Sequence, residues 1–237
     1  MLNQILKRLL PNKDATARDE SCPAPLREYM LLRRKPDKAA PLHEIRFVVF
    51  DTETSGLDLS KNTLLSIAGI GVRNLEVRMD DAFDAVCEQT DVGGAQAAVV
   101  HGLISGDLVD GVSELEAASN FLRFVGDSVL VAHHVAFDVR MLQKAIAPCA
   151  GAKVWSPVVD TAHFAKRVEV GLMSSGAAHG ADDREAYRLD QLVERYNIEV
   201  PERHTAGGDA LATALLFQRL LKKAERRGIS TLGELLR

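Results

Sequence analysis

Four carboxylates and one histidine stand where chemistry could be done. The first pair closes the run Val48-Val49-Phe50-Asp51-Thr52-Glu53-Thr54-Ser55-Gly56-Leu57. An apolar strand runs directly into Asp51, and side chains alternate along a strand, so Asp51 and Glu53 project from one face. Two such carboxylates repel each other unless a cation or proton sits between them. The second signal is Val129-Leu130-Val131-Ala132-His133-His134-Val135-Ala136-Phe137-Asp138. Here an apolar strand ends in two histidines, and Asp138 falls in the first turn of the following helix. The third is His204-Thr205-Ala206-Gly207-Gly208-Asp209. It places a histidine on a loop and Asp209 at or near the start of a long helix. Taken singly, each has a plain structural reading: solvated acids at a strand end, a helix-dipole acid, a capping aspartate. Taken together they leave four hard-oxygen donors at strand ends and helix starts, where ligands gather in sheet-centred α/β folds. That donor set suits Mg²⁺ or Mn²⁺ rather than zinc. Two such ions about 4 Å apart stabilise both the attacking and the leaving oxygen of a phosphoryl displacement.

These residues need a sheet to position them. Ile45–Asp51, Leu64–Val72, Ala82–Cys87, Ser128–Ala132 and Val154–Asp160 are predicted strands. Ser113–Val125, Val135–Ala147, Thr161–Val170, Leu189–Tyr196 and Asp209–Arg227 are predicted helices. Three strands in a row, then strands alternating with helices, predict a mixed α/β sheet flanked by helices. Gly171–Asp183 reads as a loop. Gln191-Leu192 belongs to a core helix rather than to a partner-binding motif. Gly207 and Gly208 are expected to give the His204 loop freedom to approach the site and withdraw.

Residues 1–44 differ from the rest. Five of the eight prolines lie in the first 41 residues. Leu2, Ile5, Leu6, Leu9 and Leu10 make one helical face that Pro11 stops. The expectation is a short amphipathic helix over 1–10, then a Pro-broken, charged linker or wrap over 11–44. The helix is expected to dock on its own domain; the alternative is an arm for a protein partner or a membrane surface. Residues 45–237 form the main domain.

The 237 residues are 46% hydrophobic and 26% charged, which excludes disorder, collagen and coiled coil as whole-chain readings. No apolar run approaches the roughly 18 residues of a membrane span, and no signal-peptide core is evident. Cys22, Cys87 and Cys149 are scattered, which argues for a reducing compartment and a cytoplasmic protein. Residues 1–46 carry a charge balance of +4 and residues 47–237 one of −8, giving the overall −4. An acidic body of this kind does not grip long duplex through a broad basic face. Nucleic acid would have to be held at a small site.

The order Asp51-x-Glu53, then Asp138 after a histidine-led strand end, then His204 five residues before Asp209 resembles the DEDDh branch of the DnaQ-like 3′–5′ exonucleases. The resemblance covers about Ile45 to Arg227. Val100-His101-Gly102 and Val159-Asp160-Thr161 stand at the family's expected places. The resemblance implies an RNase H-like fold with a five-stranded mixed sheet flanked by helices. It implies that Asp51, Glu53, Asp138 and Asp209 hold two divalent cations, Mg²⁺ or Mn²⁺, with Asp51 bridging. His204 would be the general base, and Thr54, Leu57, His101 and Phe137 would hold the terminal nucleotide. The implied reaction releases nucleoside 5′-monophosphates from 3′ ends of DNA, single-stranded or frayed, as in replication or repair. An RNA-directed exonuclease of the same family is the nearest alternative. A catalytically silent domain acting as a binding module, and an accessory protein acting through its N-terminal helix, are the others. One departure is His133-His134, where the family usually has His-Asn.

Overall fold

The computed structural model describes residues 19–88, 111–170 and 185–237. The amphipathic segment 1–10, His101 and the segment 171–183 lie outside them. Five strands form one sheet: β1 (Phe47–Thr54), β2 (Leu64–Arg73), β3 (Glu76–Val86), β4 (Val129–Ala132) and β5 (Val158–Asp160). Their order is β3-β2-β1-β4-β5. β1 pairs antiparallel with β2 and parallel with β4, β2 pairs antiparallel with β3, and β4 pairs parallel with β5. The mixed sheet expected from the strand pattern is therefore present, with β3 beginning six residues earlier than its apolar stretch suggests.

Alternation along β1 divides the core. Val48 and Phe50 join one buried cluster, with residues of α1 (Ala24–Leu31), α2 (Glu114–Val125) and α3 (Ala136–Ala145). Phe47 and Val49 join the other, with residues of α4 (Thr161–Val170), α5 (Leu189–Arg195), α6 (Ala206–Glu225) and α7 (Leu232–Leu235). The strand thus separates two helical layers, and the acids at its end inherit that division.

Within the described part of the extension, residues 19–44, one stretch is helical and packs into the core. Pro23 and Pro25 sit at the start of α1, where a fixed φ and a missing N–H cost nothing. Leu26, Tyr29 and Met30 then bury one face of that helix. The Tyr29 hydroxyl accepts from the backbone N–H of Trp155 at 3.0 Å and of Ser156 at 3.2 Å. Its ring stacks on Trp155 at 4.8 Å. Prolines mask this helix because they break the apolar periodicity that would announce it. Cys22, Cys87 and Cys149 are all free and buried. Among the described residues, no helix is long and apolar enough to cross a membrane.

Candidate active site

Asp51 and Glu53 continue the odd-numbered series of β1, so they project toward the α6 layer. A shift in the β1–β2 register between Glu53 and Thr54 breaks the ladder at this point, a device that re-aims side chains beside functional sites. Thr52 continues the even series and points to the opposite face. There its hydroxyl donates to Asp138 Oδ1 at 2.6 Å. Asp138 is buried in the first turn of α3. Asp209 stands in the first turn of α6, which crosses β1 and β2. Ala206 and Ala210 of α6 pack on Ala68 of β2, and these small side chains let the helix start lie close to the sheet.

The charges of these carboxylates act on one another. Burial raises Asp51 well above the ordinary carboxylate range, and the charges of Asp138, Asp209 and Glu53 raise it further; Arg203 opposes them. Glu53 is pushed up to about 7 by burial, then by Asp209 and Asp138. Asp138 is pushed up to about 6 by burial, against the lowering effect of the Thr52 hydroxyl. Acids raised in this way repel one another, and a divalent cation beside them would offset that repulsion. The donor set, all hard oxygen, fits divalent cations of the Mg²⁺ and Mn²⁺ type. Among the described residues, no three His, Cys, Asp or Glu side chains form a ready-made metal cage. Asp209 is instead engaged by Arg203, whose Nε donates to its Oδ1 at 2.6 Å.

His204 is exposed and adopts a left-handed backbone, φ +67°. Glu202, two residues earlier, does the same at +57°. The two glycines do not serve this loop as hinges. Gly207 and Gly208 lie inside α6, and a Cβ on Gly208 would sit 2.0 Å from the Glu202 carbonyl oxygen. Gly208 is therefore there for close approach: the loop is pressed onto the helix start rather than freed from it. Thr205 caps α6 by accepting from the Gly208 N–H.

Two of the expected nucleotide contacts are open to solvent or partly so. Leu57 is 86% exposed, on the loop that follows β1. Lys144 braces that loop by donating to the Asn62 carbonyl at 2.6 Å. Phe137 is half-buried against the α1–α3 core. Thr54 is buried, and its hydroxyl donates to the Gly56 carbonyl. His134 has φ +57°, a conformation in which asparagine and histidine are both enriched, so the backbone accommodates His134 where Asn is usual. His133 pairs with the Thr161 hydroxyl at 2.9 Å. Burial holds it down at about 4, well below the usual imidazole range.

Sequence reasoning missed Thr52, Arg203 and Asp190. Strand alternation alone could have assigned Thr52 to the opposite face from its acidic neighbours. Arg203 carried no signal beyond standing next to His204.

The profile of the RNase_T exonuclease family matches residues 48–217. A "DNA polymerase III subunit epsilon-like protein" of Rhodobacter capsulatus is 33% identical over 215 residues, covering 88% of this chain and 29% of the relative. The PolC-type DNA polymerase III of Bacillus subtilis is 29% identical over 195 residues, covering 82% of this chain and 13% of the relative. The chain thus spans less than a third of the length of these two relatives. Among solved structures, E. coli exonuclease I in complex with a dT13 oligonucleotide superposes with a TM-score of 0.60 at 16% identity, covering 77% of this chain and 42% of that one. Exonuclease X in complex with 5′-overhanging duplex DNA gives 0.54 at 19% identity, covering 76% and 93%. The fold is therefore the RNase H-like exonuclease fold, and the chain belongs to the DnaQ-like, RNase T exonuclease family of phosphodiester hydrolases.

Proposed function

We propose that this chain removes nucleotides one at a time from 3′ ends of DNA, in the cytoplasm, with Asp51, Glu53, Asp138 and Asp209 holding two Mg²⁺ or Mn²⁺ ions. The observation that carries this reading is the hydrogen bond that ties Thr52, between Asp51 and Glu53, to Asp138, together with the repulsion that Asp138 and Asp209 exert on Asp51 and Glu53, a cost that divalent cations offset. Bound there, the cations supply electrostatic stabilisation of the charge that develops on the attacking and leaving oxygens. His204, exposed at the mouth of the site, takes a proton from the attacking water. The new P–O bond forms as the bond from phosphorus to the 3′ oxygen of the preceding nucleotide breaks. That oxygen is protonated and remains as the new 3′ hydroxyl, and a nucleoside 5′-monophosphate leaves.

Leu57 and Phe137 flank the terminal base, a contact tolerant of sequence because every base has an apolar face. The exposure of Leu57 suits a wedge between the last base and its neighbour. Thr54 and His101 complete the nucleotide pocket. DNA is favoured over RNA because the relatives are DNA polymerase III proteins and the structural neighbours carry DNA. Residues 45–237 form the catalytic domain, and residues 1–44 an N-terminal extension whose α1 contributes to its core.

The test is a panel of 5′-labelled single-stranded DNA, frayed duplex, blunt duplex and RNA, with Mg²⁺ or Mn²⁺. The expected result is a ladder shortening from the 3′ end, faster on single-stranded and frayed DNA than on blunt duplex. Faster degradation of RNA overturns the DNA assignment, and internal cuts overturn the exonucleolytic mode.

A further inference from the structure

Arg203 stands between two aspartates from different helices. Its Nε donates to Asp209 Oδ1 at 2.6 Å, and its terminal NH2 group donates to Asp190 Oδ1 of α5 at 2.7 Å. The side chain is only 20% exposed, and that of Asp209 17%. Asp209 Oδ1 also accepts the backbone N–H of His204 at 3.3 Å. Among the described residues, the hydrogen bonds to this carboxylate all fall on Oδ1, and Oδ2 is left as the atom for a cation. The flanking residues Glu202 and His204 are both in the left-handed region, a conformation that persists only where the surroundings impose it. The Arg203 fork, reaching α6 with one nitrogen and α5 with another, is such an imposition.

We infer that Arg203 is a positioning residue with two opposed effects: it ties the His204 loop to α5 and α6, and it is an internal counter-cation that weakens divalent-ion binding at the carboxylates. This rests on the reading of the site given above. The second effect follows from charge alone. A fixed guanidinium beside Asp209 lowers the negative potential that attracts a cation. The first follows from geometry. A general base held by a strained loop loses its aim when the tether is cut, and a displacement of about 1 Å can cost on the order of 100-fold in rate.

The two effects separate in three variants of the full chain, measured by Mn²⁺ calorimetry and by kcat and KM on a short single-stranded oligonucleotide. Arg203→Gln removes both tether and charge: Mn²⁺ should bind about 3- to 10-fold more tightly while kcat falls about 10- to 100-fold. Arg203→Lys keeps the charge and loses the fork: Mn²⁺ affinity should stay within about twofold of wild type while kcat still falls. Asp190→Asn leaves Arg203 on Asp209 alone: Mn²⁺ should bind no more tightly than to wild type, with kcat reduced. General damage to the fold would weaken binding and turnover together, and circular dichroism identifies it. If Arg203→Gln folds and binds Mn²⁺ no better than wild type, or if kcat is unchanged in Arg203→Gln and Arg203→Lys, the inference is overturned while the reading of the site stands. If the wild-type chain binds no Mn²⁺ at all, the reading of the site falls, and this inference with it.

Discussion

Thr52 and Asp138 are joined by a hydrogen bond of 2.6 Å from hydroxyl to carboxylate, across the boundary between the sheet and α3. The hydroxyl favours the charged form of an acid that burial nonetheless raises to about 6. This bond links two of the three acid-bearing segments, from residues 86 apart in the sequence.

Thr52→Val keeps the shape and removes the bond. A hydrogen bond to a charged group contributes about 1.5–3 kcal/mol, so Asp138 should release its proton only at higher pH. Cation binding requires that release. Mn²⁺ affinity, followed by calorimetry from pH 6 to 8.5, should rise with pH in both proteins, with the rise displaced upward in Thr52→Val. Coincident curves would show that Thr52 has no part in charging the site.

The metal-free protein should lose stability as pH rises from about 4 to about 7. Glu53 and Asp138 have folded-state values above their unfolded ones, about 7 and about 6. Over that window Glu53, Asp138 and Asp51 hold protons in the folded state that the unfolded state has released; this outweighs the opposite contribution of His133, held at about 4, so stability falls with pH. Melting curves in EDTA should show this decline, at about 2–4 °C per kcal/mol for a chain of this size. Excess Mg²⁺ or Mn²⁺ should flatten or reverse it, because a ligand that binds only the folded state stabilises by mass action. A metal-free melting temperature that climbs from pH 5 to 7.5 would contradict the raised values.

Tyr29 tests whether α1 supports the fold or the chemistry. Tyr29→Phe leaves the buried N–H groups of Trp155 and Ser156 without the hydroxyl they donate to, a cost of about 1–3 kcal/mol. Thermal melting should register it, with turnover per folded molecule unchanged. Reduced turnover at unchanged stability would place α1 in substrate or partner binding instead.

His204→Ala should lose about two to four orders of magnitude in kcat, the usual contribution of a positioned general base. Mn²⁺ affinity measured by calorimetry should stay near wild type, since His204 is not assigned as a ligand. A variant that keeps most of its rate would make His204 a bystander on its strained loop.

What was legible in the sequence follows from local rules. The apolar run into Asp51 and the alternation of strand side chains identified β1 and the shared face of Asp51 and Glu53. The start of α3 beside Asp138 was legible for the same reason. α1 was not, because Pro23 and Pro25 interrupt the pattern in which Leu26 and Tyr29 take part. In sequence Gly208 reads as a source of loop freedom; its real reason, the Glu202 carbonyl pressed against it, is a contact made only in three dimensions. Arg203 and Asp190 belong to the same class. Each is an ordinary charged residue until the fold brings α5 beside the start of α6.

The most direct test of a cation-dependent exonuclease site at these carboxylates is Asp51→Asn, assayed on a 5′-labelled single-stranded oligonucleotide with saturating Mg²⁺. Removing this charge should nearly abolish the ladder from the 3′ end. The variant should remain folded, and in EDTA it should melt no lower than wild type, since Asp138, Asp209 and Glu53 all repel the native carboxylate. A ladder at the wild-type rate from a folded Asp51→Asn protein would contradict the account.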